Sequence, residues 1–160
     1  MKNQNYNSKG WDKQFDNILD NVKHITDQVN DYLLAYFKRS FDTKSFDNKK
    51  WKPSKNNKNT LVDSGDLKRS IKTVSKTVSE IHIQSNTPYS AIHNYGGKIK
   101  ITDKMRKYFW SQYYKTKNND WKYMAISKQK YINIPQRQFM GETQEMMNEI
   151  EQIIIDVLKS

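Results

Sequence analysis

Between Trp11 and Phe37 apolar residues return at every third or fourth position: Trp11, Phe15, Ile18, Leu19, Val22, Ile25, Val29, Tyr32, Leu33, Tyr36 and Phe37. Asp, Lys, Asn and Gln fill most of the intervals. This spacing gathers onto one stripe of an α-helix and predicts an amphipathic helix over 11–37, about 40 Å long at 1.5 Å per residue. A stripe of that length has to be covered. Two covers are open to it: a coiled-coil partner, or a sheet, the more common support for an aromatic-rich stripe in a mixed protein.

A second amphipathic pattern closes the chain. Met146, Met147, Ile150, Ile153, Ile154, Val157 and Leu158 share a face, and Glu142, Glu145, Glu149 and Glu151 lie outside it or early in it, where negative charge suits the helix dipole. Between the two helices the period drops to two. Ile71 and Val74 lie in one extended run and Ile81 and Ile83 in the next, with the reversal near Lys76-Thr77; Ile99 and Ile101 alternate with Lys98 and Lys100, and Ile132 and Ile134 alternate ahead of Pro135. Residues 103–115 start at Thr102/Asp103 and carry Met105, Tyr108, Phe109 and Tyr113 at helical spacing. After a polar loop over 115–120, Trp121, Tyr123, Met124 and Ile126 read as extended. The expected fold class is α+β: an antiparallel sheet of about four strands packed by the N-terminal and C-terminal helices, with a short aromatic helical insertion.

Composition sets outer limits. The chain has 160 residues, no cysteine and a net charge of +11. That length predicts a single domain over 11–160, preceded by a polar, flexible arm over 1–10. Without cysteine there are no disulfides, zinc-thiolate sites or thiol nucleophiles. No apolar run approaches the roughly 20 residues that span a bilayer, and the N-terminus is Asn-rich where a signal peptide is apolar, so the expectation is a soluble chain made in a cytoplasm, with no membrane partner. The charge is uneven: +6 over 38–60, +9 over 98–137 and −4 over 138–160. A solvated lysine-rich surface and a basic face meeting nucleic acid or an acidic protein both fit it. The stretch 38–60, ending past Pro53, reads as a long irregular connection. Its Phe46 and Trp51 serve either as hooks pinning the loop to the core or, among lysines, as stacking platforms for single-stranded nucleic acid.

Three islands carry the most specific signal. They are Thr60–Ile71 (TLVDSGDLKRSI), Thr87–Gly97 (TPYSAIHNYGG) and Ile134–Gly141 (IPQRQFMG). Locally, Asp63 or Ser64 is a candidate cap for a turn whose Leu67 and Ile71 face inward. In the second island Thr87 is a candidate N-cap with Pro88 as the first helical residue, Tyr89 and His93 fall four apart, and Gly96-Gly97 supply the stop. In this order the islands resemble the phage virion morphogenesis family, the tail-completion or head-tail joining proteins of tailed bacteriophages. The resemblance rests on Ser64, Gly65, Leu67, Ser70 and Ile71; on Tyr89, Ala91, Ile92, His93, Gly96 and Gly97; and on Ile134, Pro135, Arg137, Phe139 and Gly141. It departs at Gln138, where the family commonly has a second proline, and in a longer, more basic 103–130.

The resemblance implies a structural, non-enzymatic virion protein, assembled in the host cytoplasm as a homo-oligomeric ring at the neck or tail end. Its partners would be other phage head, neck or tail proteins, with packaged DNA a further contact. It implies no catalytic residue, cofactor, metal or small-molecule substrate. The variable basic segments are then the candidate partner contacts, through Trp51, Lys98, Lys100, Arg106, Trp110 and Trp121, and attraction between basic 98–137 and the acidic C-terminal helix would orient neighbours. The alternative is a basic nucleic-acid-binding module without enzymatic activity, stacking bases on Trp51, Tyr108, Trp110, Tyr114 and Trp121, although no helix-turn-helix, zinc-finger or RNA-recognition signature accompanies it. An enzyme finds least support. Ser90 near His93 has no nucleophile elbow around it, and His24, His82 and His93 lack metal-ligand spacing.

Overall fold

The apolar stripe folds as one helix, α1 (Ser8–Thr43), in the computed structural model, which describes residues 8–54 and 60–159. At 36 residues it is about 54 Å long, and it both starts and ends beyond the predicted range. Residues 1–7 of the expected arm lie outside the described residues, whereas Ser8–Gly10 already belong to the first helical turn. At the other end Ser40 and Phe41 continue the stripe, and no Gly or Pro interrupts it. Lys44, at φ 53°, turns the chain out.

The connection that follows is less irregular than its composition predicts. Asp47 and Asn48, at φ 49° and 58°, reverse the chain between β1 (Ser45–Phe46) and β2 (Lys49–Lys50), the two-residue hairpin in which both central residues take positive φ. The hairpin delivers Phe46 and Trp51 to the interior, where both are buried. The Trp51 indole N–H donates to the Gln138 carbonyl at 2.6 Å. Both rings are hooks, and residues 55–59 of the same connection lie outside the described residues.

The described residues form two compact units. The first, within Met1–Ser90 and Gln138–Ser160, has a core of Tyr36, Phe37, Phe41, Phe46, Trp51, Leu67, Ile71, Phe139 and Met146. Phe41 sits at its centre, 5.5 Å from the Trp51 ring and 5.2 Å from that of Phe139. A short helix, α2 (Asp66–Arg69), leads into the predicted hairpin of β3 (Ile71–Lys76) and β4 (Ile81–Ser85), closed by the Thr77 N–H donating to the Glu80 carbonyl at 2.8 Å. The register shifts between Thr73 and Ser75, leaving Val74 exposed while Ile71 is fully buried. Thr73 bonds Asn30, and Lys76 pairs with Asp27, so the hairpin lies along the middle of α1.

The second unit, Ala91–Arg137, holds most of α3 (Ser90–Tyr95), then β5 (Gly97–Lys100), α4 (Asp103–Thr116), α5 (Asn119–Ile126) and β6 (Tyr131–Ile134). The first unit resumes with α6 (Gln144–Lys159), the predicted C-terminal helix. Thr143 starts it by accepting the Met146 N–H at 3.2 Å, and its hydroxyl also bonds that of Tyr36 at 2.8 Å. Arg39 and Glu145 form an exposed ion pair at 3.0 Å.

Two expectations need correction. Among the described residues the strands form no four-stranded sheet: they pair two by two, β1 with β2, β3 with β4 and β5 with β6, all antiparallel. Alternation points to β3, β4, β5 and β6, but each short ladder closes with its own partner, and β1 and β2 pair within a stretch that reads as irregular. Residues 119–126 are helical, not extended. The Asn118 side chain accepts the Asp120 N–H at 2.9 Å, and Trp121, Met124 and Ala125, spaced three and four apart, turn inward. Their aromatic and β-branched neighbours give these residues the look of a strand.

Burial along α1 is split. From Val29 to Phe41 the stripe faces the core, whereas every residue from Gly10 to Asn21 is exposed, Trp11 at 73% and Phe15 at 64%. Phe41→Ala is therefore expected to lower unfolding stability by about 3–5 kcal/mol. Phe15→Ala should change it by no more than about 0.5 kcal/mol. Urea unfolding followed by circular dichroism measures both.

Candidate functional site

The first island builds a rigid corner ahead of β3. Gly65, at φ 75°, is the N-cap of α2 in place of the predicted Asp63 or Ser64, and the Ser64 hydroxyl, one residue earlier, accepts the first helical N–H, that of Asp66, at 3.4 Å. Ser64 also hydrogen-bonds the Asp66 carboxylate, and Arg69 donates to the Ser64 carbonyl at 2.8 Å and to Asp66 at 2.6 Å. The Ser64 hydroxyl first, and then Arg69, hold the Asp66 carboxyl below its ordinary pKa. Ser70 donates to the Leu67 carbonyl and meets the Ser85 hydroxyl, each at 2.7 Å, while Leu67 and Ile71 bury their side chains. Ser64, Gly65, Leu67, Ser70 and Ile71 thus shape the entry to the hairpin.

The second and third islands close on one another within Ala91–Arg137. The helix of the second island begins later than predicted: Pro88 and Tyr89 lie in a turn, the Ser90 N–H donates to the Thr87 carbonyl at 3.1 Å, and α3 starts at Ser90. Tyr89 thus precedes the helix that carries Ala91, Ile92 and His93. Gly97 pairs with Ile134 across the β5–β6 ladder, and past Pro135 the Arg137 N–H donates to the His93 carbonyl at 2.8 Å. Gly96 makes this approach possible. It sits at φ 71°, and a Cβ there would lie 2.8 Å from the backbone nitrogen of Gln136. The His93 imidazole is half-buried; desolvation, and then the nearby Arg137 charge, push its pKa below the ordinary 6.5, so it is neutral at pH 7. Phe139 and Gly141, the end of the third island, belong to the first unit, with Phe139 buried against Phe41.

Beyond this joint the second unit is a lysine-rich, aromatic surface. Residues 91–137 contain eleven Lys and Arg against two Asp, or +9 of the chain's +11. Thr102 caps α4 by accepting the Met105 N–H, and Lys117 ends it at φ 56°. Arg106 reaches across to α5. Its guanidinium donates to the carbonyls of Ala125 at 3.0 Å, Ser127 at 2.6 Å and Gln129 at 3.0 Å, satisfying groups that a helix C-terminus leaves unpaired. Trp121 stacks on Phe109 at 6.0 Å, and Trp110 on Tyr114 at 6.0 Å.

The six candidate partner contacts therefore separate. Trp51 is buried in the core of the first unit, Arg106 ties α4 to α5, and Trp110 and Trp121 are half-buried in ring stacks. Lys98 and Lys100 on β5 are exposed. Exposed Tyr108, Tyr114 and Tyr123 lie near them in the chain, with the Lys117 ammonium 5.8 Å from the Tyr114 ring. Tyr95, Ile126 and Tyr131 also face solvent; for Tyr131, on β6, alternation cannot say which face of a two-stranded ladder stays uncovered. A surface of this kind binds through many weak contacts, ionic and aromatic, to an acidic protein face or to phosphates. Among the described residues no three His, Asp or Glu side chains converge, and no helix is long and apolar enough to cross a membrane.

Comparison with known proteins agrees with the three islands. The model of the phage virion morphogenesis family matches residues 38–159. No curated protein and no solved structure matches the chain.

The joint makes two predictions. Gly96→Ala, forced into positive φ against the Gln136 backbone, is expected to destabilise the protein by about 1–3 kcal/mol in thermal or urea unfolding. His93 binds its proton more readily in the unfolded chain, so its contribution to stability is complete above pH 6.5 and is lost as pH falls from 6.5 towards its lower folded pKa. Wild type should weaken over that window, and the difference between wild type and His93→Gln should shrink there. A pH-independent difference would contradict the assignment.

Proposed function

The chain belongs to the phage virion morphogenesis family and takes part in assembling a phage particle; from that premise we propose that it is a tail-completion or head-tail joining subunit, working as one of several identical copies in a ring. The observation that carries this reading is the family match across 38–159, which spans all three islands. In this reading the islands maintain the subunit's shape, and the exposed lysines and tyrosines of the second unit meet neighbouring virion proteins or packaged DNA. Binding is the whole activity, without catalysis, cofactor, metal or small-molecule substrate.

Repeated copies joined through unlike faces close when the rotation between them divides a full turn. Attraction between the basic second unit and an acidic neighbouring face, α6 among them, accelerates and orients the encounter more than it tightens the final contact. A second reading, direct binding of nucleic acid, is favoured by one observation: Tyr108, Tyr114 and Tyr123 are exposed among lysines.

Deleting the gene from its phage and examining the particles by electron microscopy tests the assembly role. Separate heads and tails, or particles with unfinished tail ends, are expected, rescued by the wild-type gene. Normal infectious particles would overturn it. Binding of a single-stranded oligonucleotide that falls steeply as salt rises would support the second reading.

A further inference from the structure

The exposed end of α1 is an apolar stripe without a cover among the described residues. Trp11, Phe15, Ile18 and Val22 continue the line of Ile25, Val29, Tyr32 and Tyr36, with Leu19 beside it, yet all residues from Gly10 to Asn21 are exposed. Twelve such residues make about 18 Å of helix. This part of α1 also precedes the family match, which begins at Lys38. Apolar stripes of this length at a helix surface mark a binding face.

We infer that this end of α1 docks on the α4–α5 hairpin of a second copy of the chain. Charge identifies the occupant. Asp12, Asp16 and Asp20 run along one edge of the stripe, with Lys13 the only cation from Gly10 to Asn21, whereas the second unit carries +9. Spacing agrees with it: Asp12 and Asp20 are eight residues apart on α1, and Lys107 and Lys115 are eight apart on α4, so each pair spans about 12 Å of helix. Between those lysines α4 exposes Tyr108, an apolar ring for the stripe to cover. Asp12, Asp16, Lys107 and Lys115 form no ion pair among the described residues, and Asp20 reaches only Lys23, at 3.5 Å.

Pairing of α1 with α1 has no such match, because it sets two acidic edges together with one lysine each. The proposed contact joins unlike faces, so each copy offers one arm and one acceptor, and the series closes into a ring or extends. The ring rests on the assembly reading above; the contact itself does not.

Sedimentation equilibrium of the full chain over a wide concentration range, at low and high salt, tests it. Wild type is expected to self-associate, more weakly at high salt. Phe15→Ser/Ile18→Ser, Asp12→Lys/Asp16→Lys and Lys107→Glu/Lys115→Glu should each weaken association at least about tenfold. Circular dichroism should stay unchanged, and so should the thermal midpoint at concentrations low enough to keep every variant monomeric, since these residues are exposed. An equimolar mixture of the two charge-reversed proteins should recover wild-type association, because each arm then meets an opposite acceptor.

Four results would overturn the inference: a wild type that stays monomeric throughout, association indifferent to Phe15→Ser/Ile18→Ser, a mixture that fails to recover, or Lys107→Glu/Lys115→Glu associating like wild type, which would place α1 against α1. Incorporation into particles is scored separately. If wild type enters particles but shows no arm-dependent association, the docking fails and the assembly reading stands. If it associates as described but never enters particles, the assembly reading fails and the docking stands.

Discussion

Burial of the Phe41 ring organises the first unit. It brings together three stretches that lie far apart in the chain: the last turns of α1, Trp51 from the connection behind it, and Phe139 from the third island. Aromatic side chains each remove roughly 150–250 Å² from water, and edge-on contacts such as that between Phe41 and Trp51 add to burial alone. The Trp51 indole N–H would be costly inside this cluster without an acceptor. The Gln138 carbonyl supplies it, so one hydrogen bond links the connection to the chain ahead of Phe139. Tyr36, one turn earlier than Ser40, solves the same problem with the Thr143 hydroxyl at the start of α6.

The second unit depends on backbone closure more than on apolar volume; only Phe109, Ala125 and Asn94 are buried among its described residues. Gly96 lets α3 approach the chain after β6, and Arg106 satisfies the carbonyls at the end of α5. Both devices hold the frame from within and leave lysine and tyrosine side chains outside. The unit with the thinnest core therefore carries most of the chain's net charge on its surface.

Much of the fold was legible because local periodicity reports local structure. Both terminal helices, the β3–β4 hairpin and α4 follow from it, as does the inward direction of Leu67 and Ile71. What could not be read depends on partners distant in sequence. Strands pair in twos, each with a partner that alternation does not name, and the helical state of 119–126 is supported by the Asn118 cap and the Arg106 bridge, against the strand preference of its Trp, Tyr and Ile. An arginine in a basic stretch looks the same in sequence whether it faces solvent or, like Arg106, crosses to backbone carbonyls.

The first helix shows where the two kinds of information divide. Sequence by itself determined that residues 11–37 carry one continuous apolar stripe, because side-chain spacing alone places them on one face of a helix, and its three islands identified the family. Tertiary structure decided which half of that stripe is covered. Phe41, Tyr36 and Val29 meet a core while Trp11, Phe15 and Ile18 face solvent. Periodicity assigns residues to a face, whereas burial depends on whether another part of the chain reaches that face, and here the β3–β4 hairpin and α6 end before they reach its first three turns.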